Sequence, residues 1–134
     1  MENNSVDICT CIFFLSALAP SQFGSATRNI VRSVKGGGLV YFRDYGVYDL
    51  AMRRFAKKGS RVEKGVALFR RGDGTLAYFF TKQEVLEIFE KSAEKEGSKV
   101  EVVDLKYVCV RLENKKKNLK LHRIFVSALL RFVK

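Results

Sequence analysis

Residues 38–55 read GLVYFRDYGVYDLAMRRF, an apolar run that stops abruptly at Arg43-Asp44-Tyr45-Gly46. Leu39, Val40, Tyr41 and Phe42 are β-prone residues behind a glycine turn, the pattern of a strand buried on both faces of a parallel sheet. Charge is excluded from such a strand. At its end the rule changes, because open α/β sheets bind ligands in the crevice outside the carboxyl ends of their strands. The polar cluster therefore reads in two ways, as a site or as a charged turn leaving the core.

Upstream, Val6 to about Phe14 is an apolar strand in which Cys9 and Cys11 alternate toward one face as small hydrophobes. The approach MENNSVD carries Glu2 and Asp7 but no Lys or Arg, unlike an export signal, and the run is too short to span a bilayer. Ser21, after Pro20, is expected to cap a helix in which Ala26, Ile30, Val31 and Val34 recur at helical spacing. Lys35-Gly36-Gly37-Gly38 is expected to stop it. Strand, helix and strand 39–44 then form a parallel βαβ unit. The triple glycine precedes a strand, whereas a dinucleotide-binding fingerprint follows one and opens a helix.

Downstream, residues 47–58 read as a short helix with a basic outer face, and 59–75 as an irregular, functional loop carrying Gly59, Gly65, Gly72 and Gly74. Thr81-Lys82-Gln83-Glu84 is a capping box that opens a helix with Val85, Leu86, Ile88 and Phe89 as its apolar face and Gly97 as its stop. Strands at about 100–112 and 120–132 follow, joined by Glu113 to Asn118, a connection short enough for an antiparallel hairpin.

The chain has 134 residues, one domain's worth, and its 47% hydrophobic content suffices for a core. Twenty-five Lys and Arg against fourteen Asp and Glu give a net charge of +11, which points to a polyanionic partner: nucleic acid first, an acidic membrane surface second. One basic cluster comprises Arg53, Arg54, Lys57, Lys58, Arg61, Lys64, Arg70 and Arg71; a second comprises Arg111, Lys115, Lys116, Lys117, Lys120 and Arg123. Either is also readable as a solvated, solubilising face. Cys109 stands alone, and with no Cys-x-x-Cys or histidine cluster no metal site is expected. The cysteine usage fits a reduced, intracellular chain, placed in the cytoplasm with mitochondrion and nucleus as alternatives.

Three stretches carry a resemblance. Ser5-Val6-Asp7 leading into Ile12-Phe13-x-Leu15-Ser16-Ala17, then Gly37-Gly38-Leu39-Val40-x-Phe42-Arg43-Asp44-Tyr45-Gly46-x-Tyr48-Asp49, then Arg71-Gly72-Asp73-Gly74-Thr75-x-x-Tyr78-Phe79-Phe80-Thr81, resemble the methyltransferase-like enzymes that make 3-methylcytidine in tRNA. The likeness runs from Ser5 to Phe89 and departs from the family pattern at Ala19, Gly36 and Leu76. It implies an α/β fold, the carboxyl-terminal half of a class I methyltransferase: β-α-β, then α-β-β with a terminal antiparallel hairpin. It also implies methyl transfer from S-adenosylmethionine to an anticodon-loop cytidine, with Ile12, Leu15 and Ser16 beside the cofactor. Residues 1–134 are then a partial methyltransferase domain, because the chain begins at the strand that would be fourth and lacks the glycine-rich cofactor-binding half.

The ring nitrogen at position 3 of neutral cytosine has a free lone pair, so alignment rather than base catalysis is what the reaction needs. Asp44 is the expected stabiliser of the charge that develops on the base, with Arg43 and Tyr45 as its catalytic neighbours. The base must be presented unpaired and stacked, for which Tyr45 and Tyr78 are platforms, while Arg43 and Arg71 would hold phosphates. Asp73, in Gly-Asp-Gly, is either a substrate contact or a turn former. Arg53, Arg54 and Lys57 complete the RNA-binding set. Expected partners are tRNA and a tRNA-bound protein such as an aminoacyl-tRNA synthetase, not a membrane. A non-catalytic basic tRNA-binding module is the alternative. The isolated chain is expected to self-associate through an unpaired sheet edge.

Overall fold

The computed structural model describes residues 2–117 and 119–134, with the side chains of 119–121 not described; Asn118 of the expected hairpin loop and the Lys120 side chain thus lie outside the described residues. In chain order the elements are β1 (Val6–Ile12), α1 (Phe23–Ser33), β2 (Val34–Tyr45), α2 (Leu50–Lys57), β3 (Leu68–Arg70), β4 (Leu76–Tyr78), α3 (Lys82–Lys95), β5 (Lys99–Asn114) and β6 (Leu119–Val133). The main sheet has the order β1-β2-β6-β5, with β1 and β2 parallel and β6 antiparallel to both neighbours. A parallel pair ending in an antiparallel hairpin is the expected layout.

The capping box forms as read. Thr81 accepts from the Glu84 backbone N–H, the Glu84 side chain accepts from that of Thr81, and Gly97 lies just past the helix at φ +70°.

Three local expectations fail. Ser21 makes no cap, because Pro20–Gln22 forms a separate 3₁₀ turn and α1 starts behind Gln22 with no side-chain acceptor. The triple glycine does not stop α1; the chain enters β2 directly at Val34, and the glycines lie inside the strand. Between the pairs Val6↔Val34 and Ile8↔Leu39, β1 advances two residues while β2 advances five, so the glycines form a bulge. A Cβ at Gly38 would stand 2.5 Å from Val34 Cγ1 and 2.9 Å from the Lys35 carbonyl, so only glycine fits. Finally, the loop at 59–75 is partly ordered: β3 and β4 pair antiparallel within it and continue to Tyr78.

Helices α1 and α3 pack over one face of the main sheet and bury Phe42, Phe89 and Phe132 with Phe80, each burial contributing about 1.5–3 kcal/mol. Arg28 and Arg32 of α1 both bond Glu96 beyond α3, which holds that carboxyl below its ordinary range. The opposite face is open: Ile8 and Ile12 are 61% and 47% exposed, and their partners Leu39 and Arg43 are half-buried. A smaller core of Phe69, Ala77 and Phe79 seats α2 through Met52 and Phe55, leaving Arg53, Arg54 and Lys57 outward. Among the described residues no helix is long and apolar enough to cross a membrane.

Candidate functional site

Because β1 and β2 are parallel and β6 is antiparallel, Ile12, Tyr45 and Phe125 meet at one end of the sheet, with Tyr45 paired directly to Phe125. Phe13 follows β1 with φ +48°, an uncommon conformation for a bulky side chain, and its N–H is bonded to the Arg43 carbonyl at 2.8 Å. That turn swings its ring to 5.3 Å from Tyr45 and 5.5 Å from Phe125. Backbone strain of this kind persists where the surroundings impose it, and here it completes an aromatic cluster at the carboxyl edge.

Three guanidinium groups surround the cluster. Arg43 lies 4.9 Å over Phe125, Arg123 lies 5.4 Å over the same ring and 5.8 Å over Tyr45, and Arg71 reaches Tyr45 at 5.8 Å. Arg71 is fixed by the Leu76 carbonyl at 3.2 Å and the Tyr45 hydroxyl at 3.5 Å. Asp73 shapes the loop carrying Arg71: its Oδ1 accepts from the Thr75 N–H and hydroxyl, which hold its carboxyl below its ordinary range. Of its two readings, the geometry is that of a turn former.

Asp44 is sealed beneath this surface. It is fully buried; Oδ2 accepts from the Ser16 N–H at 3.0 Å and Oδ1 from the Tyr45 N–H at 2.8 Å. Burial raises its carboxyl above the ordinary range, although those donors and the Arg71 charge pull the other way. Burial and the Asp44 charge push the Cys11 thiol up to about 12, so it is a packed, unreactive group. Through Ser16 the carboxylate pins the turn Leu15–Ala17 against the end of β2.

This arrangement predicts a pH signature. With a raised native pKa, the native state holds more protons than the unfolded chain just above the ordinary value of 3.8, so this group's contribution to stability increases as pH falls through that window. Asp44→Asn removes the titration. The unfolding free energy of the parent relative to Asp44→Asn, from denaturant curves between about pH 4 and 7, should grow toward acid; a flat or opposite trend would reject the buried, proton-retaining carboxylate.

Other expected site residues lie elsewhere. Tyr78 is buried against Phe23 and Phe80 and donates its hydroxyl to Glu84, so it is a core residue and not a stacking platform. Burial, then the Glu84 carboxylate, raises its pKa. Leu15 and Ser16 face inward at 1% and 2% exposure, leaving Ile12 as the cofactor candidate with free surface.

Asp49 was missed. Fully buried, it caps α2 through the Ala51 N–H at 2.9 Å and accepts from Arg123 Nε at 2.9 Å and the Ile124 N–H at 2.7 Å. It therefore aims Arg123 at the aromatic cluster. Phe13 and Asp49 both fall inside the quoted motifs and Arg123 inside the second basic cluster, so the signals were present.

The chain is 42% identical over 131 residues to the tRNA(Thr) (cytosine(32)-N(3))-methyltransferase of Saccharomyces cerevisiae, covering 96% of this chain and 19% of that protein. It is 38% identical over 128 residues to a tRNA N(3)-methylcytidine methyltransferase of Schizosaccharomyces pombe, covering 96% and 38%. Identity is likewise 38%, over 127 residues, to O-methyltransferase 3 of Dictyostelium discoideum, covering 94% and 27%. The chain thus spans well under half the length of these relatives. No protein-family model matches it. A SAM-dependent methyltransferase from Methanosarcina mazei superimposes with a TM-score of 0.68 at 19% identity, over 99% of this chain and 62% of that structure. The fold is that of the S-adenosylmethionine-dependent class I methyltransferases, and over the shared segment the chain is similar to tRNA N(3)-methylcytidine methyltransferases.

Proposed function

We propose that this chain supplies the substrate-facing part of an S-adenosylmethionine-dependent tRNA methyltransferase acting on ring nitrogen 3 of an anticodon-loop cytidine, with residues 1–134 forming part of a larger catalytic domain. The observation that carries this reading is the Phe13–Tyr45–Phe125 cluster ringed by Arg43, Arg71 and Arg123 at the carboxyl edge of the sheet. Tyr45 and Phe13 stack an unpaired base, and the guanidinium groups hold its flanking phosphates. Asp44 is a positioning residue that sets Tyr45 and the turn after β1 through their backbone N–H groups. Exposed Ile12 fits an apolar contact to the cofactor. S-adenosylmethionine, when bound, supplies an electrophilic methyl group; the chain's own residues orient the ring nitrogen and neutralise phosphate charge.

A second reading, a non-catalytic module that binds tRNA or a tRNA-bound protein, is favoured by the first basic cluster. None of its eight side chains lies within 4.0 Å of a carboxylate among the described residues. One chimera separates the two: the S. cerevisiae relative with its matching segment replaced by this chain. Methyl transfer to tRNA with 3-methylcytidine in the nucleoside digest supports the enzyme. A chimera that binds tRNA and transfers nothing supports the module, and methylation on a ribose oxygen overturns the ring-nitrogen assignment.

A further inference from the structure

Beside the aromatic cluster lies an open cleft of about 460 Å³ lined by Gly59, Ser60, Arg61, Val62, Arg70 and Arg71. Backbone pairing builds it: the Arg70 N–H bonds the Ser60 carbonyl at 2.9 Å, Arg61 bridges Phe69, and the Val62 N–H bonds the Leu68 carbonyl at 2.9 Å. The segment after α2 thus runs beside β3 through one isolated antiparallel bridge, and Arg61 and Arg70 line the same concavity. Each guanidinium is anchored through a single N–H to a main-chain carbonyl: Arg61 to Val66 at 2.9 Å, Arg70 to Gly74 at 3.3 Å and Arg71 to Leu76 at 3.2 Å. Arg61 also lies 4.8 Å over the Phe69 ring.

A guanidinium has five N–H donors, so most remain free in each of the three groups. No carboxylate pairs with any of them among the described residues, whereas Arg28, Arg32, Arg111, Arg123 and Arg131 all have one. Three anchored guanidinium groups around one cleft, none in direct contact with a carboxylate among the described residues, form a preorganised oxyanion receptor, because holding them in place has already cost the rotamer entropy that free arginines would lose on binding.

We propose that this cleft binds an internal phosphodiester of single-stranded RNA, next to the nucleotide stacked at Tyr45. The proposal rests on the reading above, since Arg71 belongs to both places: it lines the cleft and touches the Tyr45 hydroxyl. A base unpaired at Tyr45 leaves its own backbone single-stranded as it passes Arg71.

The test is fluorescence anisotropy of this chain with a 5′-hydroxyl oligocytidylate of about nine nucleotides, from about 50 to 200 mM salt. Losing one phosphodiester contact in Arg61→Gln/Arg70→Gln should make the slope of log affinity against log salt shallower by about 0.7 and weaken binding about tenfold. Arg61→Lys/Arg70→Lys should restore the slope but not the full affinity, because lysine keeps the charge and loses the fork. Arg70→Gln alone, at a site whose side chain is exposed and hydrogen-bonds the Gly74 carbonyl, should show the same direction if the double variant fails to fold. A parent that binds and a double variant with unchanged slope and affinity would overturn the cleft and leave the proposed function standing. A loss seen only with a 5′-phosphorylated probe would reassign the cleft to terminal phosphates and overturn the proposal. Failure of the parent to bind any oligonucleotide at low salt would overturn the RNA reading, and the cleft with it.

Discussion

Asp49→Ala should lower the unfolding free energy by about 3 kcal/mol and the melting temperature by about 10 °C. The substitution strands the Ala51 and Ile124 N–H groups and the Arg123 guanidinium, all three of which the buried carboxylate satisfies. Breaking a buried ion pair by removing one partner costs about 3–5 kcal/mol, and losing a helix N-cap about 1 kcal/mol. Arg123 is 29% exposed and can turn toward water, which places the expected total at the lower end. The pair is more than a staple, because Arg123 rests over Tyr45 and Phe125. Asp49→Ala/Arg123→Leu should therefore be little less stable than the single variant, since no stranded charge remains, yet should lose affinity for RNA. Chemical denaturation of four proteins, the parent, Asp49→Ala, Arg123→Leu and the double variant, decides this; additive losses in stability would mean that the two residues act independently.

The features legible from sequence were those whose signal is local. The capping box at Thr81 and Glu84 and the apolar stripe of α3 follow from spacing, and the parallel pairing of β1 with β2 from the strand–helix–strand order. The open face of the sheet did not. A continuous apolar run such as Leu39 to Phe42 reads as buried on both sides, but here Val40 and Phe42 are covered while Leu39 and Tyr41 are half-exposed. The glycines were misread because a glycine run signals a turn more often than a bulge, and the close approach of Val34 and Asp7 to Gly38 exists only once β1 and β2 are paired. Strands β3 and β4, three residues each, are too short to show a period of two. Arg43, Tyr45 and Arg71, all inside the quoted motifs, lie together at the carboxyl edge of the sheet, while Tyr78 packs into the core against Phe23 and Phe80. The Asp49–Arg123 pair spans 74 positions, and no local pattern announces a contact of that range.

The chain by itself should associate, in spite of its charge. Strand β1 pairs with β2 along one edge and with no strand along the other among the described residues. Ile8, at 61% exposure, and Ile12, at 47%, lie on the uncovered face of that strand. An unpaired edge offers a row of N–H and C=O groups to another chain, and an apolar face beside it gains by leaving water. Opposing this is a net charge of +11, whose repulsion is long-ranged and screened by salt, whereas strand pairing and apolar burial act at contact. The two contributions therefore separate by ionic strength. Sedimentation at micromolar concentration should show dimers or larger species whose share rises with added salt, the reverse of the trend for RNA binding. Ile8→Lys, which places a charge on the exposed edge, should return the chain toward monomer without lowering its melting temperature, because Ile8 contributes little to the folded core. A parent that sediments as a monomer at every salt concentration would show that neither the β1 edge nor the open face is adhesive.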